Sequence, residues 1–169
     1  MQVQDRAALL SFGFLAFLPH TVSDGKQENI LIVIITGQRK ERVMEKIRIL
    51  CVDDDQMALE LMNAQLAPRG YEVFTAPDGV AALHLMKEIR PDFALLDIMM
   101  QGMDGIETLA EILKIDPKVG VIMVTAVTDE KTARKAVKLG AFDYIVKPIN
   151  FDYLEAGILA KHIMQRRRG

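Results

Sequence analysis

The sequence predicts an α/β fold: one five-stranded parallel sheet of order 2-1-3-4-5, with helices on both faces. Three observations predict it. Five short apolar runs recur between residues 47 and 146, and each is followed by a segment with helical periodicity. The central run, Phe93-Ala94-Leu95-Leu96-Asp97, shows no polar alternation, as in a strand buried on both faces of a parallel sheet. Acidic, hydroxyl and basic residues come directly after several of these runs, and open parallel sheets hold their ligands beyond those strand ends.

The first strand, residues 47–52, ends in Asp53-Asp54-Asp55. The segment 56–66 carries Leu59, Met62 and Leu66 at helical spacing, and Pro68-Arg69-Gly70 stops it. Residues 71–75 are the second strand. Helix 78–89 places Ala82, Leu85, Met86 and Ile89 on one side. The third strand spans 93–97, and its loop runs Ile98-Met99-Met100-Gln101-Gly102-Met103-Asp104-Gly105. Helix 106–115 closes at Asp116-Pro117. Then come strand 119–125, helix 129–139 with Gly140 at C′, and strand 142–146. Lys147-Pro148 makes a turn, Asn150 is a good N-cap, and the last helix runs from 151 to about 165. Parallel strands joined through helices require right-handed crossovers, so the helices divide between the two faces.

In the order 2-1-3-4-5 the sheet has its switch point between strands 1 and 3. Asp53, Asp54 and Asp97 then meet in one crevice. Two carboxylates about 4 Å apart repel by roughly 4 kcal/mol at an effective dielectric near 20. A protein offsets this by protonating one of them or by binding a cation. An all-oxygen donor set without His or Cys selects a hard ion, usually Mg²⁺. Thr125 ends strand 4 with a hydroxyl, and Lys147 ends strand 5 with a fixed positive charge. A carboxylate nucleophile, Mg²⁺, Lys and a hydroxyl are the parts of a phosphoryl-transfer site. Asp97 is assigned the nucleophile, because it stands alone on its strand and faces the others.

These residues resemble a family. Asp53-Asp54, Asp97, Thr125-Ala126 and Lys147-Pro148, in order at strand ends, are similar to the receiver domain of two-component response regulators. The loop from Asp97 to Gly105 resembles the family's Asp-x-x-Met-Pro-x-Met-Asp-Gly. The resemblance covers about 47–165. It implies a flavodoxin-like (βα)5 fold. Flavodoxin and the chemotaxis receiver are standing examples of that strand order, so the topology expectation is not independent of the resemblance.

The resemblance further implies that Asp97 accepts a phosphoryl group from a partner kinase's phosphohistidine. Asp54, Asp97 and the backbone carbonyl of Met99 would bind Mg²⁺ directly, and Asp53 through a water. Lys147 would pair with Asp97 and then with the phosphoryl oxygens. Thr125 would hydrogen-bond the phosphoryl group. Tyr144 matches an aromatic that turns inward when Thr125 moves, and the Lys147-Pro148 bond is typically cis. The partners implied are a sensor histidine kinase or phosphotransfer protein, and an effector protein or linked output domain. The face built from the last two helices and strand 5 would change partner affinity; it carries Lys131, Arg134, Lys135 and Lys138 beside Tyr144, which suits an acidic partner or is an ordinary solvated face. A homodimer stays open.

The sequence departs from the family at Gln101, where Pro is usual. Loss of the fixed φ should loosen the loop by up to about 1 kcal/mol in unfolded-state entropy and leave the chemistry untouched. Met99 and Val127 occupy two positions that influence attacking water in the family. Both are apolar, which implies slow autodephosphorylation.

Plainer readings stand beside these. Asp55 suits a helix N-cap, Asp104-Gly105 a turn, Thr125 a core strand and Tyr144 simple packing. His20, His84 and His162 have no carboxylate or Cys at ligand spacing. Met99, Met100 and Met103 read as loop and core packing. Two alternative functions compete with the signalling one. The first is a Mg²⁺-dependent phosphatase or phosphotransferase with a nucleophilic Asp, but Asp53-Asp54-Asp55-Gln56-Met57 lacks the threonine of Asp-x-Asp-x-Thr. The second keeps the fold only as a binding module, against which the complete set Asp53, Asp54, Asp97 and Lys147 argues. No Walker glycine loop supports an NTPase.

The 169 residues, half of them apolar, suit one domain with an appendage. A net charge of -2 gives no reason to expect a polyanion partner. Three arginines at 166–168 suit a helix C-terminus and are too few to argue DNA binding. The single cysteine, Cys51, lies in a strand pattern and reads as a buried hydrophobe in a cytoplasmic protein. Residues 1–46 read as a dispensable extension, disordered or a non-native start before Met44, with a hydrophobic tether or dimerisation arm as the functional alternative. Its apolar run 9–18 is too short to span a bilayer, which needs about 20 residues, and fits a secretory signal poorly. Residues 30–35 could add a strand, and 38–46 reads as a linker or short helix. Residues 47–166 are the expected receiver domain and 167–169 a basic tail. The end soon after the fifth helix reads as a stand-alone receiver or as a piece of a longer regulator.

Overall fold

The computed structural model describes residues 46–166. The expectations on 1–45 and on 167–169 lie outside the described residues. The elements are β1 (Arg48–Val52), α1 (Gln56–Leu66), β2 (Glu72–Ala76), α2 (Gly79–Ile89), β3 (Phe93–Leu96), α3 (Gly105–Ile115), β4 (Gly120–Thr125), α4 (Glu130–Leu139), β5 (Asp143–Val146) and α5 (Phe151–Arg166). A short 3-10 turn, Ala67–Arg69, comes after α1 and ends at Gly70 with φ +94°. The sheet is parallel throughout, in the order β2-β1-β3-β4-β5.

Alternation along the strands divides the core. Leu50, Val52, Ala94, Leu96, Val121 and Met123 face Met86, Leu109, Ile112 and Ala136 from α2, α3 and α4. Ile49, Cys51, Phe93, Leu95, Ile122 and Val124 face Leu59, Met62, Leu66, Leu154 and Ile158 from α1 and α5. The period-two pleat thus buries both sheet faces, which is why the strand sequences read as unbroken apolar runs. All four residues of β3 are buried.

The helices begin where the sequence supplies acceptors. Asp55 accepts from the Met57 N–H and Asp78 from the Ala81 N–H. Asp129 accepts from the Thr132 N–H, and Asn150 Oδ1 from the N–H groups of Asp152 and Tyr153. Asp78 and Asp129 therefore cap their helices from outside, one residue before the helical residues. Asp104 does more than turn the chain: its carboxylate accepts from the Glu107 N–H and caps α3. Gly140 ends α4 at φ +112°, as its C′ position requires.

Among its ten residues α4 buries only Ala136. The strands β1, β2, β4 and β5 begin one residue later than their apolar runs, because Ile47, Tyr71, Val119 and Phe142 lie outside the ladder.

Candidate functional site: an acidic crevice at the strand ends

Strand register assembles the site. Val52 pairs with Leu96, so Asp53 and Asp97 leave the sheet side by side. Asp97 is not itself in β3, yet its N–H still donates to the Val52 carbonyl at 2.9 Å. At the other edge of the crevice Thr125 pairs with Val146, and the Lys147 N–H donates to the Thr125 carbonyl at 2.9 Å. The four groups come from distant sequence positions, and the sheet alone brings them together.

Asp53 and Asp97 are buried, and Asp54 is exposed. One carboxylate oxygen from each lies within 4.8 Å of the others. Lys147 Nζ is 2.6 Å from Asp53 Oδ2 and 3.8 Å from Asp97 Oδ2. The resemblance pairs Lys147 with Asp97; the shorter contact here is with Asp53. The second oxygen of Asp53 accepts the Asp55 N–H at 3.0 Å, so both of its oxygens are engaged. Asp97 Oδ1, in contrast, is buried with no hydrogen-bond partner. A buried carboxylate oxygen left unpaired carries a desolvation cost of about 1–3 kcal/mol or more.

Three carboxylates against one ammonium leave an excess of negative charge. Together with the unpartnered Asp97 oxygen and the all-oxygen donor set, this fits a hard divalent cation. Met99 sits in the loop after Asp97 with its side chain exposed.

Thr125 is fully buried, and its Oγ1 accepts the Val127 N–H at 3.3 Å. That leaves the hydroxyl proton free to donate. Tyr144 is half-buried, and its hydroxyl donates to the Val127 carbonyl at 2.8 Å. Thr125 and Tyr144 therefore hold the same residue, one by its N–H and the other by its C=O. Burial raises the Tyr144 hydroxyl above its ordinary range, with the charges of Asp129 and Asp97 adding to it. The Lys147-Pro148 bond is cis.

The loop contains one group that sequence reasoning missed. The Gln101 N–H donates to Asp54 Oδ2 at 3.3 Å. Gln101 thus touches one of the crevice carboxylates through its backbone. The signal was present in the sequence, since a non-proline residue always brings a backbone donor.

Gly105 explains why the loop closes tightly. A side chain there would collide with the Asp97 carbonyl oxygen and sit 2.7 Å from Ile98 Cα. Among the described residues, no helix is long and apolar enough to cross a membrane. His84 is exposed and His162 half-buried, away from the carboxylate group.

Comparison with known proteins agrees with this fold. The regulatory protein AtoC of Escherichia coli K12 is 41% identical over 107 residues, covering 63% of this chain and 23% of that protein. The transcriptional regulatory protein ZraR of Klebsiella oxytoca is 43% identical over 111 residues, covering 66% and 25%. The chain thus spans about a quarter of the length of these two regulators. A receiver domain protein (CheY-like) from Methanospirillum hungatei JF-1 superposes with a TM-score of 0.71 at 33% identity, covering 74% of this chain and all of that one. A family model described as the response regulator receiver domain matches residues 49–159. With the strand order and the acidic rim in agreement, the chain belongs to the response regulator receiver domain family.

Proposed function

We propose that Asp97 is the phosphoacceptor, and that it takes a phosphoryl group from the phosphohistidine of a sensor histidine kinase or phosphotransfer protein in a Mg²⁺-dependent reaction. The observation that carries this is the buried Asp97 carboxylate, with one oxygen unpartnered, beside two further carboxylates and one ammonium. When bound, Mg²⁺ supplies positive charge to offset the carboxylates and the incoming phosphoryl oxygens. Asp54, Asp97 and the Met99 backbone carbonyl would hold it. Asp53, whose oxygens already serve Lys147 and the Asp55 N–H, would contribute to holding it only indirectly.

The Asp97 carboxylate forms an O–P bond as the donor's N–P bond breaks. The imidazole departs with the electron pair and is protonated. Lys147 turns from Asp53 to the new phosphoryl oxygens, and the Thr125 hydroxyl donates to one of them. Movement of Thr125 pulls on Val127, which Tyr144 also holds, and so transmits the change to β5 and α4. Pro148 shapes the turn that presents Lys147. The chain is thus a phosphoacceptor that catalyses only its own phosphorylation and dephosphorylation.

The receiver unit is assigned to residues 47–166, with 1–46 as a dispensable extension and 167–169 as a tail. It acts in the cytoplasm. Its output passes to an effector protein or to a linked output domain, for which the greater length of AtoC and ZraR leaves room.

The test is incubation with acetyl phosphate and Mg²⁺, then measurement of intact mass. One phosphoryl group per chain, lost in Asp97→Asn, is expected. Stoichiometric labelling that persists in Asp97→Asn overturns the assignment. Steady turnover of a phosphomonoester would instead favour a phosphatase.

A further inference from the structure

Asp54 differs from the other two carboxylates of the crevice. Asp53 and Asp97 are buried and stand within reach of Lys147. Asp54 is exposed, and the only hydrogen bond its side chain accepts among the described residues is the one from Gln101. The donor is the backbone N–H, so any residue but proline could supply it.

We infer that the Gln101 backbone N–H is a positioning group for Asp54 in divalent-cation binding, a role closed to the proline usual at this place. The inference rests on the proposed Mg²⁺ site. An exposed carboxylate rotates freely about its last torsion and must be immobilised to bind a metal. A hydrogen bond to one oxygen reduces that cost and leaves the remaining lone pairs for the ion, since a carboxylate offers about four acceptor sites. Groups that orient metal ligands in this way typically change metal affinity by about 10–100-fold when removed. At 3.3 Å the bond lies just beyond the usual range of about 2.7–3.2 Å, so it guides Asp54 without locking it.

The same bond gives the β3–α3 loop a link to the metal. Gln101 lies four residues after Asp97 in the loop that carries Met99, and Gly102 beside it has φ +80°. Binding at Asp54 therefore orders the loop that also presents Asp97.

The test compares Q101P, which lacks the N–H, with Q101A, which keeps it. Mg²⁺ affinity is measured by titration of backbone amide resonances, with no phosphoryl donor present. Q101P is expected to bind at least about tenfold more weakly than Q101A. Equal affinities, or tighter binding by Q101P, overturn the inference. Should Q101P fail to fold, the Gln101 amide in the unaltered chain decides. Its resonance should shift on Mg²⁺ addition, and in Asp54→Ala it should exchange faster with solvent. An amide indifferent to Asp54→Ala overturns the inference. If the unaltered chain shows no Mg²⁺ binding at all, the cation reading fails, and the inference falls with it. Binding in the unaltered chain with equal Q101P and Q101A leaves that reading intact and removes only the role of the N–H.

Discussion

The ammonium of Lys147 is bonded to Asp53, at 2.6 Å, and stands 3.8 Å from Asp97. Lys147 is thus engaged with a neighbour of the proposed phosphoacceptor, on a carboxylate whose other oxygen is already satisfied. Replacing it with Met leaves Asp53 buried without its counter-charge. A hydrogen bond to a charged group contributes about 1.5–3 kcal/mol, and Lys147→Met should lose that order of stability in urea unfolding. Saturating Mg²⁺ should raise the stability of both proteins, because a ligand at about 100 times its Kd adds about 2.7 kcal/mol. A variant as stable as the parent without Mg²⁺ would show that the contact contributes nothing.

Gly105→Ala should displace the loop that carries Asp97. The added methyl meets backbone, the Asp97 carbonyl and Ile98 Cα, and backbone yields less readily than a side chain end. Overpacking of this kind costs about 1–3 kcal/mol. Urea unfolding should show that loss, and labelling by acetyl phosphate should slow. Gly70→Ala meets no atom within 4 Å, so its cost comes only from its φ of +94°, and its labelling rate should be unchanged.

Stability should fall at alkaline pH. Burial first, then the charge of Asp53, raises the Cys51 thiol from 9.0 to about 12. Burial first, then Glu155, raises Tyr71 from 10.0 to about 12. Both groups have raised folded values, so below 9.0 their contribution is fully present. Above it the unfolded chain binds fewer protons than the folded one, and stability declines as pH rises toward about 12. The urea midpoint should be level with respect to these groups up to about pH 8 and drop by about pH 11. Cys51→Ala should flatten the first part of that slope. The native thiol should also resist alkylation at about pH 8 and react fully in urea.

The phosphorylated protein should be long-lived. Neither Met99, whose exposed side chain is apolar, nor Val127 can orient an attacking water through a side chain. Met99→Asn supplies a polar group and should shorten the half-life several-fold, read as loss of the phosphoryl mass. A half-life of seconds in the unaltered protein contradicts this.

Tyr144→Phe removes the bond to the Val127 carbonyl. The expected loss is about 0.5–1.5 kcal/mol, with faster amide exchange confined to the β4–α4 loop. Exchange that changes equally across the sheet would mean that Tyr144 only packs.

Much of this was legible in the sequence because the chemistry sits at strand ends. The apolar run Phe93-Ala94-Leu95-Leu96 announces a strand buried on both faces, and the residue after such a strand lies at the rim. Asp53, Asp97 and Lys147 follow their strands and Thr125 ends its own, so that rule together with the strand order placed all four at the rim. Partner choice was not legible. Whether Lys147 meets Asp53 or Asp97 turns on 2.6 Å against 3.8 Å, a difference that no spacing encodes. The Gln101 contact escaped for another reason: a proline at that place is known by its ring, while its effect here lies in the N–H it lacks. Asp104 was under-read because a turn and a helix cap share the same residue preferences.

The single buried residue of α4 has a mechanical consequence. Ala136 contributes one methyl to the interior, roughly 1 kcal/mol of transfer energy on the scale of a buried CH₂. The other helices of the same layer, α2 and α3, are anchored by larger side chains such as Met86 and Ile112. A doubly charged group newly attached at the rim needs little work to re-seat α4, and far more to shift its neighbours. On the proposed function, the molecule would yield first along its most lightly moored edge, and news of the chemistry would leave from there.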